Sequence, residues 1–167
     1  MPVHVRPITL WRAEVDNQPG VLAQTLEPLA AAGADLQVVM GYRLPGDRAR
    51  TAIEIFPVTG ARARSAAQAA GLSEAAISAV HVEGDNRPGV GHAIAKALAD
   101  AGINIDFFLA QVSGRRHTTV IGFDSREDAD RAIPLMSGAA GRKPARKAPS
   151  RRAAGATKPG RKAARRR

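Results

Sequence analysis

The stretch that decides the fold is "DNQPGV" at residues 16–21, because a near copy, "DNRPGV", stands at residues 85–90. The copying continues outward from the turn. At an offset of 69, Leu29, Ala30, Ala32 and Gly33 fall on Leu98, Ala99, Ala101 and Gly102. A repeat this long, present in only two copies, is an internal duplication of a small subdomain rather than a solenoid.

Upstream of each turn lies a strand period. "ITLWRAEV" (8–15) alternates Thr9, Trp11, Ala13 and Val15 against their neighbours, and "ISAVHVE" (77–83) is the equivalent strand in the same register. Pro19 and Pro88 are expected at the first helical position, with the preceding Asp or Asn as cap. Downstream, Val21, Thr25 and Leu29, matched by Val90, Ile94 and Leu98, line one helix face each. Gly33 and Gly102 end these helices as left-handed caps. The stretches 35–44 and 50–58 then form a hairpin around "PGDR", and 103–112 and 117–123 form another around "SGRR".

A second helix follows in each half, over "TGARARSAAQAAGL" and "SREDADRAIPLM", the latter opened by Ser125 and Asp128 as a capping box. Residues 72–76 leave room for a short fourth strand, whereas the second half has almost nothing after Met136. Each unit thus reads β-α-β-β-α with a weak closing strand, the ferredoxin-like order. The expected fold class is α+β, two ferredoxin-like units in tandem, over residues 7–75 and 76–137. Alanine is frequent and aromatic residues are few, so each half alone has a thin core and the halves are expected to pair.

The formal charge of +10 in 167 residues suggests a nucleic-acid binder until it is divided along the chain. Residues 138–167 contain Arg142, Lys143, Arg146, Lys147, Arg151, Arg152, Lys158, Arg161, Lys162, Arg165, Arg166 and Arg167 and no acid. The remaining 137 residues are close to neutral. With no apolar period, the segment from Gly138 is expected to be a disordered tail. Its composition resembles the tails of linker-histone-like and bacterial nucleoid proteins, and its cations could release counterions from DNA or RNA without reading sequence. It has no aromatic residue on which a base could stack.

Strand, "DNQPGVLAQTLEPLAAAGADL", and again strand, "DNRPGVGHAIAKALADAGINI", resembles two ACT domains in tandem, the small ligand-binding modules of amino-acid metabolism, over about residues 7–136. The resemblance implies an ACT-type fold and an effector held against the loop between first strand and first helix by an Asn of that loop and an Asn early in the second strand. Carried over by position, these are Asn86 and Asn104 in the second half. The first half has Asn17 but Asp35 in the other place, and a loop histidine that some members carry is replaced by Val15 and Gly84. The candidate ligand-binding set is Asp16, Asn17, Gln18, Pro19, Gly20, Val21 and Asp35, with Asp85, Asn86, Arg87, Pro88, Gly89, Val90 and Asn104. Elementary chemistry points the same way. A helix N-terminus attracts a carboxylate, and Asp16, Asp85 or an Asn carbonyl could face an ammonium group. Asp, Asn, Pro and Gly are also what any strand-to-helix turn uses.

Other chemistry finds little support. There is no cysteine, and His4, His81, His92 and His117 share no metal-ligand spacing. "GVGHAIA" (89–95) fits a dinucleotide fingerprint, but Asp85 to Pro88 intervene before its first glycine. No GxSxG, HExxH or paired catalytic carboxylates occur. No apolar run approaches a membrane span. The expectation is a non-enzymatic, cytoplasmic regulatory protein without metal or cofactor, a homodimer binding an amino acid or similar effector. Two alternatives stand: a nucleic-acid-associated protein acting through its tail, and a detached regulatory subunit of a metabolic enzyme.

Overall fold

The computed structural model describes residues 3–141. In chain order the elements are strands β1 (His4–Ile8) and β2 (Trp11–Asp16), helix α1 (Val21–Ala31), strands β3 (Val38–Leu44) and β4 (Asp47–Phe56), helix α2 (Gly60–Ala69) and strand β5 (Ser73–Glu74). The second half adds β6 (Ser78–Asp85), α3 (Val90–Asp100), β7 (Phe107–Ser113), β8 (Arg116–Phe123) and α4 (Arg126–Gly141). They build two antiparallel four-stranded sheets, ordered β3-β4-β2-β5 and β1-β6-β8-β7. Both are ferredoxin-like, ACT-type subdomains.

The halves obtain their fourth strand differently. In the first, β5 closes the sheet by pairing Trp11 with Glu74 and Arg12 with Ser73. In the second, the chain runs into α4 and supplies no such strand; β1, from the far N-terminus, pairs with β6 over five residues, His4 with Glu83 through Ile8 with Ala79. The single strand expected over 8–15 is therefore two. Leu10 and Trp11, consecutive and both buried, face different clusters as the chain passes from one sheet to the other. Residues 7 and 8, assigned from the sequence to the first unit, hydrogen-bond within the second sheet.

Each sheet carries its helices on one face. Trp11, Ala13, Leu29, Ile53 and Ile55 fill the first core, and Val80, Val82, Ile94, Leu98, Ile121, Phe123 and Met136 the second. Burying one such large side chain stabilises by roughly 1.5–3 kcal/mol, so these clusters dominate the energetics. The expected helix faces hold, with Thr25, Leu29, Val90, Ile94 and Leu98 buried. Gly33 and Gly102 have positive φ, and the following Ala34 and Ile103 amides return to Leu29 and Leu98 carbonyls, a Schellman ending. Ser125 Oγ accepts from the Asp128 amide, as its capping pattern requires.

A third cluster joins the halves. Ile8, Leu10, Val38, Phe56, Ala79 and Val120 meet there, on the faces away from the helices. Arg6 reinforces it, with its guanidinium 5.2 Å from the Phe56 ring centre and a 3.1 Å hydrogen bond to Gln37 Oε1. α4 continues to Gly141 with Ala140 buried, past the Gly138 at which the composition changes. The tail cations from Arg142 to Arg167 lie outside the described residues. Among the described residues no helix is long and apolar enough to cross a membrane, and no group of His, Cys, Asp and Glu could hold a metal ion.

Candidate functional site: the twin Pro-Gly turns

Both turns are built alike. The Asn17 amide donates to Ala49 O and the Asn86 amide to Arg115 O, each at 2.7 Å, tying the turn to the tip of the neighbouring hairpin. The Val21 amide then reaches back to Gln18 O and the Val90 amide to Arg87 O, each at 3.3 Å. Pro and Gly occupy the two central positions of that bend. Gly20 lies at φ 91°, ψ −13° and Gly89 at φ 83°, ψ 4°, the conformation the third residue of a type II turn adopts and that side chains resist.

This geometry corrects the expected capping. The N-cap residues are Gly20 and Gly89, so Pro19 and Pro88 stand one place before the cap and not inside the helix. Neither Asp nor Asn caps: no side chain hydrogen-bonds either helix start, and neither first turn carries an acidic residue. The type II bend explains this, because it uses the Pro-Gly pair to turn the chain and moves the Asn back onto the hairpin. Apart from the Val21 and Val90 amides, which bond back to the turn, the first-turn N–H groups of α1 and α3 are therefore left without a side-chain cap.

The turns differ in their surroundings. Asn17 Nδ2 donates to Arg48 O at 3.2 Å, and Arg50 bonds both Asp16 Oδ1 (3.3 Å) and Glu14 O (2.7 Å), so the first turn is laced to its hairpin. In the second, Arg87 reaches the carbonyls of Ala139 (2.9 Å) and Ala140 at the end of α4. His117 lies beside this turn. It is buried, and an added Cβ on Gly84 would come within 3.0 Å of its Nε2. Neither ring nitrogen has a partner among the described residues. Desolvation, together with Arg87 and Arg116, holds its pKa below the usual histidine value despite Asp85 and Glu83.

Asp16 to Gly20, Asp85, Asn86, Pro88 and Gly89 are exposed; Val21 and Arg87 are half-buried and Val90 is buried. Asp35 and Asn104, also exposed, follow the C-terminal ends of α1 and α3. A helix of 11 residues is about 16 Å long, so each lies that far from the turn of its own unit. One unit does not bring Asn86 and Asn104 together, nor Asn17 and Asp35. Asp35 instead lines a cleft with Gly60, Arg62 and Pro57.

Sequence reasoning missed a polar cluster on the other face of the first sheet. Glu54 is fully buried; its Oε1 accepts from Arg12 Nη1 at 2.8 Å and from Tyr42 Oη at 2.9 Å, while Oε2 has no partner among the described residues. Burial and the Glu54 carboxylate push the Tyr42 pKa up, so the phenol stays a donor. The only signal was a Glu inside "AIEIF", where alternation assigns it to solvent; that face is covered by the second half.

No family model matches the chain, and no curated protein matches it. Solved structures do resemble it. A Bacteroides thetaiotaomicron protein superposes with a TM-score of 0.65 at 14% identity, covering 78% of this chain and 88% of that one. The regulatory subunits of aspartate kinase from Thermus thermophilus (in its ligand-free form) and Thermus flavus give TM-scores of 0.56 and 0.54 at 20% identity, each covering 83% of this chain and 97% of theirs. At such identities the likeness concerns the fold alone, two ferredoxin-like units in tandem.

Proposed function

We propose that this chain is a non-enzymatic regulatory protein that binds an amino acid or similar small effector at its Pro-Gly turns. The observation that carries the proposal is that both helix starts are free of any side-chain cap. An α-carboxylate docked there gains roughly 0.3–1 kcal/mol from the helix terminus when exposed and up to about 2 when partly buried. An Asn or Asp a few residues earlier serves the ammonium group.

Because Asn104 lies at the opposite end of α3 from Asn86, a ligand touching both must bridge two units. Binding then favours the assembled state by its differential affinity for that state, and the assembly is a homodimer. The likeness to the Thermus proteins, which are regulatory subunits of aspartate kinase matched over 97% of their length, supports a second form of the same reading in which the partner is a separate enzyme. Calorimetric titration of the full chain with each common amino acid, repeated on Asn86→Ala and Asn104→Ala, tests the site. One amino acid should bind, more tightly as the chain associates, and each substitution should weaken it at least tenfold; heat-silent titrations with all of them would overturn the proposal.

A further inference from the structure

A cleft of about 410 Å³ opens between the two halves, away from both turns. One wall is Gln37 with residues 38–42 of the edge strand β3; the other is Leu109 and Gln111 of β7 with Thr118 and Val120 of β8. The two walls meet through the joining cluster at Val38 and Val120, which also line the cleft. Its volume lies within the range of small-molecule pockets, roughly 300–1,000 Å³.

The chemistry of the walls is selective. Val38, Val39, Met40, Leu109 and Val120 are apolar, and Gln37, Gln111 and Thr118 offer neutral donors and acceptors. No lining residue carries a charge. Tyr42, also on the wall, has its hydroxyl committed to Glu54, and the nearby charges Arg12 and Glu54 neutralise one another. A charged ligand would lose its hydration against these walls, and a second cation bonded to a wall residue, Arg6 on Gln37, is engaged with that amide and the Phe56 ring, whereas an apolar body with one hydrogen-bonding end would lose little. Tyr42, Val39 and Leu109 are large side chains left more than a third exposed, at 38%, 43% and 37%, so apolar surface remains for such a molecule to cover.

The geometry points to a second binding site, in the cleft between β3 and β7, for a small uncharged molecule with an apolar body and an amide, carbonyl or hydroxyl end. This ligand class differs from the zwitterion proposed for the turns, and the site stands or falls independently of them. Because both halves contribute a wall, occupancy also fixes their separation.

The test is fluorescence titration of the full chain with the neutral probe N-phenyl-1-naphthylamine, beside its sulfonated relative 1-anilinonaphthalene-8-sulfonate. The neutral probe should saturate at one per chain and bind at least tenfold more tightly than the sulfonate. Leu109→Trp and Met40→Trp, which fill the space from opposite walls, should each weaken it at least tenfold. Val112→Ser, at the most exposed of the large apolar side chains and on the same strand outside the cleft, should leave it unchanged. Equal binding of both probes, a non-saturating signal, unaltered binding by both Trp variants, or an equal loss in Val112→Ser would overturn the proposal.

Discussion

The two halves share one topology but are completed by different means. The first closes its sheet with two residues of its own, Ser73 and Glu74; the second borrows five from the other end of the chain. The same contrast recurs at side-chain level. Where Arg12 faces a buried Glu54 in the first sheet, His81 faces Val120 in the second, and where Thr51 faces Val15, His117 faces Gly84. Duplication preserved backbone and core while the polar positions diverged. The borrowed strand also makes the second half depend on residues that precede the first.

The largest test of that dependence is removal of residues 1–8. The second sheet would lose a whole edge strand, a cost of several kcal/mol against a typical domain stability of about 5–15. Trp11, the only tryptophan, is buried in the first core and reports that half alone. Its emission should stay blue-shifted while circular dichroism shows a new low-temperature transition. If both signals collapse together, the halves form a single cooperative unit and the comparison fails.

Next is Arg12→Leu, which strands the Glu54 carboxylate without its cation. A buried charge left this way costs about 3 kcal/mol, whereas Arg12→Leu with Glu54→Leu should recover most of that by making the site apolar. Urea midpoints of the two variants decide it. An Arg12→Leu midpoint equal to wild type would mean that the ion pair contributes nothing.

The buried histidines of the second half predict an acid sensitivity the first lacks. Desolvation lowers the pKa of His81, with Arg6 acting the same way and Glu83 against it, and His117 is lowered as described. The unfolded chain therefore binds more protons than the native one once pH falls below the ordinary histidine value of about 6.5. Stability is intact above that pH and declines as pH drops toward the folded pKa values. His117→Thr, which installs the residue of the equivalent first-half position, should flatten this decline in melts between pH 7.5 and 5.

The smallest effect separates the two asparagines. Asn17→Ala removes the Arg48 bond and should cost about 1 kcal/mol. Asn86→Ala loses no such side-chain bond among the described residues and should leave the melting temperature nearly unchanged while removing ligand binding. Equal melting shifts in the two variants would show that the turns are used alike.

Much of this was legible in the residues. Repeat, helix faces and hairpins all followed from local periodicity and the Pro-Gly pair, because those features depend on neighbours within a few positions. Residues 72–76 were expected to hold a short strand and do. The missing strand after Met136 was visible as a gap, yet "HVRPI" gave no hint of filling it, since strand pairing across more than 70 residues leaves no local trace. Pro19 and Pro88 were misplaced by two positions, standing one place before the cap and not first in the helix, because the type II bend and the helix start compete for the same dipeptide. Glu54 was invisible as a buried group, because alternation shows which residues share a face and not what covers it.

The chain's own order of residues thus determined two β-α-β-β-α units, their turns and their helix-side cores, all set by backbone preference and the short period of side-chain direction. Only the tertiary structure decided that β1 completes the second sheet, that the backs of the sheets meet at Phe56 and Val120, and that Glu54 is buried. The reason is physical: local pattern fixes which atoms point the same way, while burial and partnership depend on distant segments whose arrival is settled by packing the whole chain at once.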